Sequence, residues 1–390
     1  MPDPKKLVFV CNTSWGIYKF RLTLIRQLIK AGYPVFVLAP EDRYSEYLDH
    51  EQGLTFIRLH HFKPTSFSLL HDWQLYRELR RHYLHIQPQL IFHYTIKANI
   101  YGTLAARAAG CLSISVITGL GYTFLNNMIL RQAVSFMYRF SLKRAAETWF
   151  LNEDDRLYFT QHGIVPAGKT AILPGEGIDT GKFIAKGHYA IRPTLVFLLI
   201  GRIIKEKGIA EYAAAAAILK QKGYAVECQL VGFYDYKNPS SVPHKKFMDW
   251  VSQGLITYHG GTDEIMPFIE NADCLVLPSY REGIPFSLLE GGSMRRPLIA
   301  ADTAGCHDIV VPGRNGFLCR EKDAKSLAAA MEAFYGLSPA ERLAMGEEAR
   351  KIVCEKFTRE IVEAKYFSTI SRYTQAPDPV YRLSQMTNKF

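Results

Sequence analysis

The chain has 390 residues, 48% hydrophobic and 22% charged, which is ordinary for a globular protein and too long for one core, so two domains are expected. Its seven cysteines are scattered and form no Cys-x-x-Cys pair, which speaks against a disulfide framework or zinc site and for a reducing cytoplasm. The net charge is +10, no apolar run reaches the roughly 18 residues of a membrane span, and Leu7–Val10 is too short for a secretory leader.

That charge is uneven. Up to Ala190 there are 22 Lys and Arg against 14 Asp and Glu, and no acid occurs between Glu78 and Glu147. The acid-free span holds Arg80, Arg81, Lys97, Arg107, Arg131, Arg139, Lys143 and Arg144. Such a block suits an anionic partner, a membrane surface or a phosphate-bearing substrate; a buried, sparsely charged sheet produces the same pattern.

In chain order, the first half alternates short apolar runs with helical periodicity, as a parallel α/β sheet does. Leu7–Val10 reads as the first strand, and residues 11–16 as a loop whose Gly16 lets backbone approach a ligand or simply makes a turn. Phe20–Ala31 has one apolar face, with Arg21, Arg26 and Lys30 outside it, and predicts a single amphipathic helix. Strands follow at 34–39, 56–59 and 90–93, with a basic helix over 73–86. His93 and Lys97 close a strand at the end where open sheets hold ligands, although a lone His there also serves as a structural residue. Ser113–Ile117 leads into Thr118–Phe124, whose Gly119 and Gly121 fit either backbone near a ligand or a tight loop. Residues 131–146 mix aromatics with cations and suit a helix at a lipid headgroup boundary or a core helix with a basic edge. A strand at 149–151, an Asn152-capped helix and a Gly- and Pro-bearing connector over 175–192 close this half.

The second half restarts with Leu195–Ile200, then Gly201-Arg202 and Lys207-Gly208 ahead of an Ala-rich helix. Those two cations can converge on a diphosphate, or are two surface charges in a loop. Strands are expected at 227–231, 256–260, 272–278 and 297–300, helices at 263–270, 324–335, 339–357 and 359–373, and little pattern after 375. After the apolar run ending at Pro278 comes Ser279-Tyr280-Arg281-Glu282-Gly283-Ile284-Pro285-Phe286-Ser287-Leu288-Leu289-Glu290, read as tight loop then helix. Loop amides and the positive helix end can face an anion, with a carboxylate on either side to reach hydroxyls. A sugar joined to a nucleotide through a diphosphate has that layout; a plain strand–helix junction with two solvated glutamates has it too.

Gly201-Arg202, Lys207-Gly208, Pro278 to Gly283, Glu290 and Gly313-x-Asn315-Gly316-Phe317 resemble the second domain of glycosyltransferase family 4. Asn12–Arg21, His93–Gly102, Thr118–Phe124 and Gly177-Ile178-Asp179 resemble the branch that builds bacterial surface polysaccharides and polyprenyl-diphosphate glycans. The likeness spans roughly residues 5 to 370. It implies an α/β GT-B fold of two Rossmann-like domains with parallel sheets facing across a cleft: 1–185 on the acceptor and membrane side, 186–365 binding the nucleotide-sugar, and 366–390 a helix end and tail packing back on the first domain. It further implies a retaining, metal-independent transferase that moves a hexose or N-acetylhexosamine from a UDP-sugar to a polyprenyl-diphosphate-linked saccharide. Such an enzyme sits peripherally on the cytoplasmic face of the inner membrane, with no cofactor and no nucleic acid partner. In that family Arg202 and Lys207 bind the diphosphate, Glu282 the transferred sugar and Glu290 the ribose. Gly16, Gly201, Gly283, Ile284, Phe286, Ser287, Thr118 and Gly119 surround the donor, and His93 and Lys97 fall on the acceptor side. One departure stands out: many relatives carry His-Gly where this chain has Thr118-Gly119, so a sugar contact is lost or supplied by another residue such as His93. No Asp-x-Asp motif is present to bridge a metal. A UDP-sugar 2-epimerase or an inactive sugar-nucleotide-binding subunit are the alternatives.

Overall fold

The computed structural model describes residues 5–63, 68–120, 128–185, 192–236 and 238–374. Gly121 and the rest of the 121–127 loop, part of the connector (186–191) and the tail from 375 lie outside the described residues. The chain forms two compact units. One runs to Gly177 and resumes at Glu360, and the other is Ile178–Arg359. The units thus part earlier than the boundary expected at 185/186, and the chain rejoins the first unit before residue 366.

The first unit is built on seven parallel strands: β1 (Leu7–Val10), β2 (Val35–Ala39), β3 (Leu54–Arg58), β4 (Leu90–Tyr94), β5 (Ser113–Ile117), β6 (Glu147–Phe150) and β7 (Thr170–Ile172). Their order is β3-β2-β1-β4-β5-β6-β7, with Val10 paired to both Leu38 and His93. β1 and β4 are buried along their whole length, as strands covered on both faces must be, and their near-continuous apolar sequence reflects that. Each fully buried Val, Leu, Ile or Phe contributes about 1.5–3 kcal/mol. The helix Arg359–Thr374 seals this unit from Glu360 onward. Its buried Tyr366 lies 5.1 Å, ring to ring, from both Phe92 and Trp149, and its hydroxyl is 2.8 Å from that of Tyr94.

One correction concerns the first helix. Instead of a single helix over 20–31 there are two, Ser14–Phe20 and Leu22–Lys30, broken at Arg21. Arg21 does not point outward; only 4% of it is exposed. It donates to the Gly16 carbonyl at 2.9 Å, pairs with Glu176, and lies 3.8 Å over the Tyr94 ring. A continuous helix would aim the guanidinium at solvent; the break turns it inward to three partners.

The helix expected over 131–146 is Met128–Leu142. Val134, Tyr138 and Leu142 pack into the core of the unit, while Phe136 and Phe140 are exposed and Arg144 stacks on Phe140 at 3.9 Å. Among the described residues no helix is long and apolar enough to cross a membrane.

The second unit has six parallel strands: β8 (Leu195–Ile200), β9 (Val226–Val231), β10 (Thr257–Tyr258), β11 (Cys274–Leu277), β12 (Leu298–Ala301) and β13 (Gly316–Cys319). The order is β10-β9-β8-β11-β12-β13, with Cys274 opposite Phe197 and Leu275 opposite Leu198. The sheet is buried from both sides by clusters centred on Phe197, Tyr212 and Phe334 and on Leu198, Leu275 and Leu289. The sequence reading overlooked the short helix His244–Ser252.

Candidate active site

In the second sheet the strand order reverses between β8 and β11. Open α/β sheets leave a crevice at such a point, beyond the carboxyl ends of the strands. The loops leaving β8 and β11 bring the sequence candidates of this unit together. Gly201 N–H continues the ladder to the Val231 carbonyl at 3.0 Å, and Arg202 follows it into solvent. Arg202 forms no ion pair among the described residues. A 3₁₀ turn over Lys205–Lys207 ends at Gly208, whose φ is 69°. A Cβ at Gly208 would lie 2.1 Å from the Pro278 carbonyl oxygen, so glycine alone allows the turn to press on the end of β11.

That approach delivers Lys207 to the motif after β11. Lys207 Nζ donates to Glu282 Oε1 at 2.5 Å, and Ser279 Oγ is 2.6 Å from the same oxygen and 2.9 Å from the Glu206 carbonyl. Tyr280 N–H also donates to the Glu206 carbonyl, at 2.9 Å, and Thr303 Oγ1 donates to the Ser279 carbonyl at 3.0 Å. The far side is fixed by Glu282 N–H, which donates to the Ala304 carbonyl at 3.1 Å. Gly305, with φ 79°, would place a Cβ 2.3 Å from the Gly283 carbonyl. Both side chains of the ion pair are mostly buried, so the contact sits where screening is weaker than at the surface. Beneath them burial pushes the Cys306 thiol up; the Glu282 carboxylate adds to that and Lys207 opposes it. Burial and its bond to Glu211 likewise push the Tyr280 phenol up.

Gly283 and Ile284 form the bend before the helix Phe286–Ser293, which starts at Pro285 without a side-chain cap. Phe286 and Ser287 occupy its first turn and are half-buried, at the end where the helix dipole is positive. Glu290, one turn on, is 4% exposed. Ser279, Glu206 and Thr303 were not singled out from the sequence. The only signal for Ser279 was its place three residues before Glu282 in a tight loop.

In the first unit the switch point lies between β1 and β4. Gly16 is helical rather than in a loop: Thr13 caps that helix by accepting from Gly16 N–H at 3.0 Å. Thr118 and Gly119 follow β5, Gly119 with φ 133°. His93, expected on the acceptor side, is 0% exposed; its Nε2 is 2.9 Å from the Tyr83 hydroxyl and its Nδ1 is 3.3 Å from Thr103 Oγ1, so both ring nitrogens have partners within the fold. Burial lowers its pKa to about 3 and keeps it neutral. Lys97 is tied down as well: it donates to Asp72 at 2.6 Å, and Tyr101 donates to the other oxygen of that carboxylate at 2.8 Å.

Comparison with known proteins fits this geometry. Residues 194–336 match the family described as "Glycosyl transferases group 1", and residues 16–176 match "Glycosyl transferase 4-like domain". The Campylobacter jejuni N,N'-diacetylbacillosaminyl-diphospho-undecaprenol alpha-1,3-N-acetylgalactosaminyltransferase is 26% identical over 83% of this chain and 87% of its own. An Escherichia coli UDP-Gal:alpha-D-GlcNAc-diphosphoundecaprenol alpha-1,3-galactosyltransferase is 25% identical over 69% of this chain and 73% of its own. Among solved structures, Thermosynechococcus elongatus sucrose-phosphate synthase superposes with a TM-score of 0.80 at 18% identity, covering 96% of this chain and all of that one. Anabaena HepE, in complex with UDP and glucose, superposes with a TM-score of 0.75 at 18% identity, covering 94% of this chain and all of that one. With matched family domains in both halves and two Rossmann-like parallel sheets, the chain belongs to the family 4 glycosyltransferases of GT-B fold.

Proposed function

We propose that this enzyme transfers a hexose or N-acetylhexosamine from a UDP-sugar to a saccharide carried on a polyprenyl diphosphate. In this reading the anomeric configuration is retained, no metal takes part, and the work is done at the cytoplasmic face of the inner membrane. The observation that carries the proposal is the contact of Lys207 and Ser279 with Glu282 at the switch point of the second sheet, with Arg202 on the same loop as Lys207. The relatives named for undecaprenyl-diphosphate acceptors supply the acceptor class.

A cation held against a carboxylate, a second cation on the same loop and a helix N-terminus are a receptor for a diphosphate. A carboxylate held 2.5 Å from one of those cations is placed for the hydroxyls of the sugar attached to it. On donor binding, Lys207 exchanges Glu282 for a phosphate oxygen and Glu282 turns to the sugar. As the glycosidic bond to the diphosphate lengthens, Arg202 and Lys207 meet the growing negative charge. The acceptor hydroxyl attacks from the same face and passes its proton to the leaving diphosphate oxygen. The site's contribution is position and preorganised positive charge.

The test is a panel of UDP-sugars incubated with a short polyprenyl diphosphate-linked saccharide, with products resolved by mass. One donor should extend the acceptor by one sugar, with the anomeric configuration kept. Extension by inversion, epimerised UDP-sugar as sole product, or no reaction alongside tight UDP binding would each replace this reading.

A further inference from the structure

Away from the switch point, the first unit carries a cavity of about 660 Å³ against the helix Leu69–Ile86. Its walls include His60, His61, Trp73, Arg77, Arg80, Arg81 and Leu84. Glu78 is the one acid among its lining residues. Both Glu78 oxygens are engaged, accepting the backbone N–H groups of His60 and His61 at 2.9 and 3.0 Å. Arg77, Arg80 and Arg81 form no ion pair among the described residues. Arg77 rests 4.7 Å over the Trp73 ring. Burial lowers the pKa of His82 nearby; Arg81, His85 and His60 push it the same way, and Glu78 opposes them.

The helix divides cleanly. Leu75, Leu79, Tyr83 and Ile86 are buried in the core, whereas Leu70, Trp73, Arg77, Arg81 and Leu84 recur every three or four residues on the exposed side. Leu69 is 82% exposed and Trp73 52%. A soluble phosphate ligand would have no use for this apolar rim. An interfacial phospholipid uses both, with phosphate among the arginines and rim side chains at the headgroup–acyl boundary.

We propose that this cavity is a binding site for the phosphate headgroup of anionic phospholipids and that it docks the first unit on the bilayer surface. The proposal deepens the membrane-side part of the function above and rests on that reading. It is tested by flotation of the full chain with vesicles of 30 mol% phosphatidylglycerol in phosphatidylcholine, against pure phosphatidylcholine. Binding should require the anionic lipid and fall with salt, and R77Q/R80Q/R81Q should lower partition roughly a hundredfold, about fivefold per cation. A control that removes equal charge from exposed sites elsewhere, K30Q/K245Q/K325Q, should keep most of the binding. W73A should weaken binding to the same vesicles while leaving the salt dependence in place. Equal binding to neutral vesicles, or equal loss in the control, would overturn the site. Inorganic diphosphate at 1 mM that raises the melting temperature of the wild type but not of the triple variant, with vesicles unbound, would reassign it to a soluble phosphate. UDP-induced thermal shift is read in every variant, so failure of the lipid site is told apart from failure of the transferase reading.

Discussion

Neutral His93 makes the stability of the first unit depend on pH in a way that can be calculated. In the unfolded chain its imidazole takes up a proton near pH 6.5, whereas in the fold burial holds that step down to about 3. Between these values the unfolded state binds more protons, so stability is fully present above pH 6.5 and drains away as pH falls toward 3. At pH 5.0 the single site costs 1.5 pH intervals at about 1.36 kcal/mol each, or about 2 kcal/mol. This figure holds wherever the folded pKa lies, provided it is well below 5. The comparison is His93→Gln, which keeps a polar group within reach of Tyr83 and cannot titrate. The variant should be less stable at pH 8, where it loses the bond to Thr103 and the packing of the ring. Between pH 8 and 5, however, it should lose about 2 kcal/mol less than the wild type in urea unfolding followed by tryptophan fluorescence. Parallel curves for the two proteins would mean that the ring titrates normally and is not enclosed. A second readout guards the assignment: turnover per folded molecule at pH 7.5 should be unchanged, and a hundredfold loss there would restore His93 to the acceptor side.

Glu282→Ala should cut transfer per folded molecule by roughly 10²- to 10³-fold, with some loss of melting temperature because Lys207 is left without its partner; turnover within threefold of wild type would remove Glu282 from the site. Arg202→Ala and Lys207→Ala should each lower kcat about a hundredfold or more, and equal UDP-sugar hydrolysis by wild type and variants would break the leaving-group assignment. Arg21→Ala leaves the Glu176 carboxylate buried without its partner and should destabilise the first unit by about 3–5 kcal/mol in urea titration, part of it regained in Arg21→Ala/Glu176→Gln; a change below 1 kcal/mol would show that the pair is not enclosed. Turnover should survive EDTA in full, and strict dependence on added Mg²⁺ or Mn²⁺ would contradict the metal-free reading.

Much of the architecture was legible because buried parallel strands declare themselves. Leu195–Ile200 and Cys274–Leu277 are unbroken apolar runs; the first is followed at once by Gly201-Arg202, and the second, after Pro278-Ser279-Tyr280, by Arg281-Glu282. What could not be read is the contact of Lys207 with Glu282, 75 residues apart. It depends on β8 and β11 pairing in one register and on Gly208 pressing against Pro278, neither of which leaves a local trace. Arg21 misled for a physical reason. Helical periodicity assumes a continuous helix, and the break at this residue inverts its direction. His93 was ambiguous because its burial is decided by Tyr83 from one element and by Thr103 and Gly102 from another; a Cβ on Gly102 would meet the ring at 2.6 Å.

The charge arrangement at the switch point explains why a cation and an acid are kept in contact rather than apart. Arg202 and Lys207 alone would be two positive charges on the loop leaving β8, and enclosing Lys207 unpaired would cost stability. Glu282 offsets that cost while remaining exchangeable, because its partner Ser279 offers one hydroxyl proton to two oxygens, Glu282 Oε1 and the Glu206 carbonyl. A diphosphate brings more negative charge than the carboxylate it displaces, and the freed carboxylate gains sugar hydroxyls in place of an ammonium. The exchange therefore favours a ligand that carries both groups on one molecule. Phosphate alone would strand Glu282, and a free sugar would leave Lys207 where it is. On the proposed reading, selectivity for the intact nucleotide-sugar would follow from one shared contact, which depends on the close backbone approaches that Gly208 and Gly305 allow.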